Sequence, residues 1–176
     1  MKGSPKLVCD HMLGTLARWL RILGFDTAYP KPLGDEELVS LAAGEDRILL
    51  TRDKELGARK DIRVLYVSSD VLDEQVEQVL RGLNLTIQHA MSRCPVCNTL
   101  LVEMAREKVE GKVPEGVYLR QREFWHCPSC DKFYWQGSHW DGMSRKIEEY
   151  EEYTKGSTER SGQSEEGIRE TRGAGR

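Results

Sequence analysis

Two cysteine pairs constrain the fold of this 176-residue chain more than any other feature. Each pair has the pattern Cys-Pro-X-Cys, first at residues 94–97 and again at residues 127–130. The two thiolates of such a turn can point at one atom, and two turns together supply the four sulfur ligands of a tetrahedral structural zinc site. We therefore predict a bound Zn²⁺ held by Cys94, Cys97, Cys127 and Cys130.

A redox-active pair and two disulfides are the other interpretations of these cysteines. Redox pairs usually occur singly, beside a strand–helix unit. Structural disulfides require export to an oxidising compartment, and residues 1–9 do not have the apolar stretch of a signal peptide. The sequence also has no apolar run long enough to span a bilayer. We therefore expect a cytoplasmic protein without a membrane partner, in which the fifth cysteine, Cys9, is a buried thiol.

The zinc ligands divide the chain into segments of different composition. Residues 1–88 must form a core of their own, and residues 93–142 form a zinc ribbon whose folding energy comes mostly from the metal. Residues 85–92 connect the two segments. Residues 150–176 are rich in Gly, Ser, Thr, Glu and Arg, a composition that cannot bury enough apolar surface to fold, so we predict a disordered tail.

Short apolar runs alternate with amphipathic stretches in the first segment. Strands are predicted at residues 6–9, 27–29, 47–51 and 63–67, and helices at residues 13–23, 36–43 and 71–83. Repeated strand–helix units of this length are typical of an α/β fold with a parallel sheet covered by helices. In the second segment, strands are predicted at residues 100–102 and 117–119, with a Gly- and Pro-containing turn between them.

Acidic residues lie where the predicted strands of the first segment end. Because parallel strands all end at the same edge of a sheet, these side chains should share that edge, where α/β proteins place their sites. Gathered acids repel one another unless a cation lies among them, and Mg²⁺ or Mn²⁺ is the hard, oxygen-seeking ion that fits. Such an ion can activate water against a phosphodiester. Helix capping is the alternative role for each acid. The candidates are Asp10, Asp35, Asp53 and Asp70.

Basic residues near the first of these acids are candidates for binding phosphate. Gly14, Arg18 and Arg21 have the spacing of one helix face, and guanidinium groups bind phosphate in a bidentate manner. Arg52, beside Asp53, is a third candidate. An ordinary solvated face with salt bridges is the alternative. The net charge of −3 excludes a broadly basic surface, so any contact with nucleic acid must be local.

Three stretches of the sequence resemble a known family. Residues 8–21 (VCDHMLGTLARWLR), 49–53 (LLTRD) and 134–140 (YWQGSHW) are similar to the PIN-like RNase domain found at the C-terminus of Mut-seven proteins, which is followed by a zinc ribbon. The resemblance covers roughly residues 6–142 and implies a PIN-type parallel sheet, a divalent-metal carboxylate site and ribonuclease activity. By position, Asp10, Asp35 and Asp53 correspond best to the acids of a PIN site. Glu36 or Glu37 could replace Asp35, and Asp70 corresponds least well.

These observations together predict a metal-dependent ribonuclease whose zinc ribbon presents RNA. The aromatic cluster after the second cysteine pair suits contact with unpaired bases, and we expect His139 and Trp140 to make it while Phe133 and Trp135 pack inside the protein. The alternatives are a noncatalytic RNA- or ribosome-binding adaptor and a toxin-type PIN RNase. The sequence leaves the oligomeric state, the RNA substrate and the number of catalytic metals open.

Overall fold

The structure is a computed structural model, and it describes residues 4–30, 33–137 and 140–162, without the side chains of Trp140 and of residues 156–162. Four short strands form a parallel sheet in the order β2-β1-β3-β4. Their bounds are β1 Lys6–Cys9, β2 Thr27–Ala28, β3 Arg47–Thr51 and β4 Val64–Tyr66. Each lies inside a stretch that the apolar runs predict as strand, so the predicted α/β architecture is confirmed.

Helices cover both faces of this sheet. Alternate strand residues point to opposite faces, so Leu7 and Leu50 pack in one apolar cluster and Val8 and Leu49 in another. The first cluster lies under α1 and α4, and the second under α2 and α3. Burial on both faces explains why these strands are continuously apolar. The helices are α1 Gly14–Ile22, α2 Asp35–Gly44, α3 Lys54–Gly57 and α4 Leu72–Gly82.

The segment that connects the two parts of the chain is packed rather than loose. Leu85 and Ile87 are buried in the same cluster as α1 and α4. Gly24, which ends α1, has a φ of +92°, and a Cβ on it would lie 2.3 Å from the carbonyl oxygen of His89. Only glycine permits both that backbone conformation and that close approach. Residues 85–92 therefore fix the position of the second segment on the first.

The second segment is a three-stranded antiparallel sheet in the order β5-β6-β7. The predicted strand at residues 100–102 is displaced toward β5, and the strand predicted at residues 117–119 is wrong, because a short helix, α5, occupies that stretch. Pro114 precedes α5, and Leu119 within it is 67% exposed. A short apolar run does not distinguish strand from helix. The elements are β5 Val102–Met104, α5 Glu115–Arg120, β6 Phe124–Cys127 and β7 Lys132–Trp135.

A long helix, α6 Trp140–Gly162, follows the ribbon and packs back on the first segment. Tyr150 is buried against Trp19, and its hydroxyl donates to Asp73 at 2.6 Å, beside a 2.7 Å ion pair from Lys146. The predicted disordered tail is therefore wrong for residues 150–162, which are helical, and its remainder, residues 163–176, lies outside the described residues. Within the part of the chain that the structure describes, we find no helix both long and apolar enough to cross a membrane.

Candidate functional site

The four cysteines of the two pairs come together as the sequence predicts. Their sulfur atoms all lie within 4.8 Å of one another, and none is in a disulfide. The distance from the Cys97 sulfur is 3.3 Å to Cys127 and 3.8 Å to Cys130, and that from Cys94 to Cys130 is 3.6 Å. Sulfurs bound tetrahedrally to zinc at 2.3 Å are separated by about 3.8 Å. The arrangement therefore fits a structural zinc ion.

The electrostatics of the cluster also favour a bound cation. Burial and the neighbouring cysteine thiols raise the pKa of Cys130 to about 12. Burial opposes ionisation of Cys97 as well, but hydrogen bonds with Thr99 outweigh it and lower the pKa of Cys97 to about 6. Four thiolates this close repel one another, and a metal ion removes that repulsion. The Tyr134 hydroxyl, 3.0 Å from the Cys94 sulfur, adds a further polar contact to the cluster.

Arg21 holds the first cysteine turn against the first segment, which corrects its predicted role in phosphate binding. Its side chain is buried, with 5% of the residue exposed. Its Nε donates to the Thr27 carbonyl at 2.8 Å, and its Nη1 donates to the carbonyls of Val96 at 2.8 Å and Pro95 at 3.3 Å. The guanidinium group is thus surrounded by backbone acceptors and cannot reach a phosphate.

A second set of polar contacts continues this attachment. Asp26 accepts hydrogen bonds from Arg47 at 2.7 Å and from Asn98 at 2.9 Å, while Asn98 accepts from the Thr27 backbone at 3.0 Å. Burial alone would raise the pKa of Asp26, but these bonds hold it below its usual value. Thr27 and Arg47 are the first residues of β2 and β3. The cysteine turn therefore docks at the N-terminal edge of the parallel sheet.

The predicted acids lie at the opposite, C-terminal edge, and Asp10 is the buried one. With only 3% of the residue exposed, Asp10 accepts a 2.9 Å hydrogen bond from the Thr51 hydroxyl through Oδ2. Its Oδ1 accepts from the His11 backbone at 2.5 Å and lies 2.6 Å from His11 Nδ1. The Thr51 hydroxyl oxygen also accepts from the Asp53 backbone at 2.9 Å. One hydroxyl thus links Asp10 to the turn that carries Asp53.

The link between Asp10 and the Asp53 turn lies where the order of the strands reverses. The chain leaves β1 toward β2 on one side, while β3 adds on the other side of β1. Ligands of open α/β sheets bind at such a reversal of strand order, beyond the C-terminal ends of the strands. The Asp10 and Asp53 turns follow the two strands that flank the reversal, β1 and β3.

The other acids are spread along the same edge. Asp35 is exposed at the first residue of α2, and Asp70 is exposed after β4. Glu36 is ion-paired with Arg59 at 2.7 Å, and Glu37 accepts from the Gly34 backbone at 2.9 Å. Asp53 caps α3, accepting from two backbone amides through Oδ1. Of the residues described, only the cysteines form a compact group of three or more potential metal ligands; the acids form an open row.

The remaining predictions concern the residues expected to contact RNA. Arg18 is exposed on α1, and Arg52 is partly exposed beside Asp53. His139 and the side chain of Trp140 lie outside the described residues. Several large apolar side chains that follow a strand or precede a helix at this edge are exposed. They are Met12, Tyr29, Leu33 and Val71, between 38% and 54% exposed.

Sequence reasoning missed Thr51 at this edge. Thr51 ends the most apolar strand, and a fully buried hydroxyl at that place must find a hydrogen-bond partner. A threonine at the end of so apolar a strand was therefore a sign, readable from the sequence, of a hydrogen bond at this edge. The sequence gives no comparable signal for the contact of Tyr29, whose hydroxyl donates to the His11 carbonyl at 2.8 Å, because the partner is set by packing.

The chain is similar in sequence to known proteins. The family model described as "Mut7-C RNAse domain" matches residues 5–147. A human protein named "Exonuclease mut-7 homolog" is 36% identical over 107 residues, which cover 53% of this chain and 12% of the human protein. The chain therefore corresponds to a small part of that relative. No solved structure matches the chain significantly.

Proposed function

Since the chain belongs to the Mut7-C RNase domain family, we propose that it is a divalent-metal-dependent ribonuclease that hydrolyses RNA phosphodiester bonds. The observation that carries this proposal is the buried carboxylate of Asp10, connected through the Thr51 hydroxyl to the Asp53 turn where the strand order reverses. Burying a carboxylate costs folding free energy. Asp10 also lies where α/β proteins bind ligands, and this position favours a functional role.

Asp10 and Asp53 are the proposed oxygen ligands of Mg²⁺ or Mn²⁺. The open row of acids suits such an ion, because Mg²⁺ keeps several waters and usually binds one or two carboxylates together with substrate phosphates. A bound ion would activate water and stabilise the leaving oxygen. Asp35 is the better third ligand, since Glu36 and Glu37 are already engaged. Asp70, which follows β4, would assist the other acids in binding the metal ion.

The surroundings of the acidic edge favour unpaired RNA as the substrate. Arg18 and Arg52 are available to contact the phosphate backbone. Exposed side chains such as Tyr29 and Met12 offer apolar surfaces beside the acids, and unpaired bases stack on surfaces of this kind. A fully paired helix would present its phosphates but not its base faces to them.

The zinc ribbon is proposed to bind and present the RNA at a distance from the reaction. It docks at the N-terminal edge, whereas the acids lie at the C-terminal edge. RNA that contacts both must therefore run along the surface of the sheet domain, with His139 and Trp140 as the proposed contacts on the ribbon side. Zinc-bound thiolates must stay reduced, which is consistent with a cytoplasmic protein.

A noncatalytic RNA- or ribosome-binding adaptor is the second candidate, because Asp10 and Asp53 both make capping hydrogen bonds. Titration with Mn²⁺ distinguishes the two. The ribonuclease binds Mn²⁺ saturably and loses that binding in Asp53→Asn, which keeps the capping oxygen. Wild-type protein that binds no Mn²⁺ beyond its ribbon metal would instead support the adaptor.

A further inference from the structure

A tyrosine at the acidic edge is held in one orientation beside the turn that carries Asp10. Tyr29 follows β2, and 38% of it is exposed. Its hydroxyl donates a 2.8 Å hydrogen bond to the carbonyl of His11, the residue after Asp10. The hydroxyl end of the ring is therefore fixed to the backbone next to the buried carboxylate, while part of the ring stays in contact with solvent.

Gly14, the first residue of α1, makes room for this ring. A Cβ on Gly14 would lie 2.8 Å from the Tyr29 hydroxyl oxygen and 3.0 Å from the ring carbon Cζ. The backbone of Gly14 has φ −60° and ψ −39°, an ordinary helical conformation that other residues also adopt. Glycine is less favourable than alanine in a helix. The helix therefore does not require a glycine at this position, whereas the placement of Tyr29 does.

The exposed side of the Tyr29 ring is available to a ligand. Among the side chains that the structure describes, no aromatic ring and no cationic group stacks on it. Its O–H is already donated to His11, so the residue offers a flat ring face rather than a hydrogen-bond donor. Flat unsaturated groups, including nucleobases, stack on such a face.

A cation that suits the phosphate of the same ligand lies along α1. Arg18 is exposed and comes four residues after Gly14, so the two residues share one helix face about 6 Å apart along the axis. The Tyr29 ring rests on that face at Gly14. A base stacked on Tyr29 would therefore leave its phosphate near a guanidinium group, which binds phosphate well. A nucleotide fits this pair of groups better than a free phosphate or an isolated aromatic molecule.

We propose that Tyr29 is the stacking platform for one unpaired base of the RNA at the acidic edge, and that Gly14 is needed to position the platform. The identity of the ligand rests on the proposed ribonuclease function. The platform adds a requirement that the reaction itself does not impose, because hydrolysis changes the backbone and not the base. A strand without bases should therefore bind less tightly although its phosphates are unchanged.

The test measures binding by fluorescence anisotropy, with the full-length, zinc-loaded chain and no added Mn²⁺. One probe is a labelled short oligouridylate, and the other is a labelled ribose–phosphate oligomer of the same length that has no bases. The variants are Tyr29→Leu, Gly14→Ala and the two combined. The matched control is Gly44→Ala, because Gly44 is also a helical glycine, at the end of α2, and a Cβ there would meet nothing within 4 Å.

Tyr29→Leu and Gly14→Ala should each weaken binding of oligouridylate by about tenfold and leave binding of the base-free oligomer unchanged. Gly14→Ala should keep the wild-type Tm, because the displaced ring can turn into solvent. The double variant should bind no more weakly than either single variant, since both changes act through the same ring. Gly44→Ala should match wild type.

Three results would overturn the proposal: wild-type affinity for oligouridylate in Tyr29→Leu, equal weakening of both oligomers in either single variant, or multiplied effects in the double variant. So would wild-type protein that binds the base-free oligomer as tightly as oligouridylate. If Gly14→Ala weakened both oligomers equally, Gly14 would instead admit a phosphate, and the platform would be refuted.

Cleavage assays with Mn²⁺ separate this proposal from the ribonuclease proposal. Wild type that cleaves no RNA but binds oligouridylate in a Tyr29-dependent manner would contradict the ribonuclease and support the platform. Wild type that cleaves RNA, with Tyr29→Leu binding and cleaving it equally well, would contradict the platform alone.

Discussion

Replacing Arg21 with methionine should destabilise the protein. An exposed arginine normally contributes little to stability, but Arg21 is buried. The guanidinium group donates three hydrogen bonds to backbone carbonyls, two of them at 2.8 Å, and Arg21 is 5% exposed. Hydrogen bonds from a charged donor contribute about 1.5–3 kcal/mol each. Methionine also removes the desolvation cost of the buried charge, which offsets part of this loss. We therefore expect the free energy of unfolding to fall by about 3 kcal/mol. For a chain of this size that corresponds to a fall in Tm of about 6–12 °C.

Arg18→Met is the matched control, because Arg18 is exposed on the same helix. It should change the free energy of unfolding by no more than about 0.5 kcal/mol. Thermal unfolding by circular dichroism, with zinc release followed by a chromogenic chelator, measures both variants. The two events should occur together and earlier in Arg21→Met, because Arg21 joins the cysteine turn to α1. A normal Tm in Arg21→Met combined with weaker RNA binding would refute this reasoning and restore the phosphate-binding role.

Three further outcomes follow from the structure. Protein purified without chelator should hold about one zinc per chain, and Cys97→Ser should lower that content and unfold the three-stranded ribbon sheet; metal analysis that finds no zinc would contradict the site. Gly24→Ala should destabilise the protein by about 2 kcal/mol in denaturant titrations, because its φ is +92° and its Cβ would meet the His89 carbonyl; wild-type stability would mean that residues 85–92 are not packed there. Hydrogen bonds from Lys146 and Tyr150 lower the pKa of Asp73. The stability that ionised Asp73 contributes is therefore complete above the unfolded-state pKa of about 3.9, and it is lost as the pH falls through the lower folded-state pKa. The stability difference between wild type and Asp73→Asn should therefore shrink below about pH 4, and a constant difference would contradict the role of this contact in holding α6.

The first segment was largely predictable because its signals are local. Each strand is a short apolar run, and burial on both faces of a parallel sheet requires such runs. Once the strands are parallel, residues that follow them must share one edge, which places Asp10 and Asp53 together without any knowledge of side-chain packing. The clustering of the four cysteines was predictable for a related reason, since the turn geometry of each pair is encoded within four residues.

The errors concern residues whose partners are distant in the sequence. Arg21 has the helix spacing of Arg18, but two of the three carbonyls that it contacts lie 74 and 75 positions later in the chain. Tyr150 lies in a charged stretch, and its partner Asp73 is 77 positions earlier. Local composition cannot reveal such contacts, so a docked helix resembled a disordered tail and a structural arginine resembled a ligand-binding one.

The most direct test of the central claim is cleavage of a labelled single-stranded RNA by the zinc-loaded chain in the presence of Mn²⁺. The decisive variant is Asp10→Asn, whose side-chain oxygen can still accept the hydrogen bond from Thr51. The control is Asp46→Asn, because Asp46 is exposed before β3 at the opposite edge and its φ of 51° suits asparagine. We predict equal cleavage by wild type and Asp46→Asn, and at least about a hundredfold slower cleavage by Asp10→Asn. Folded Asp10→Asn protein that cleaves as fast as wild type would contradict the account.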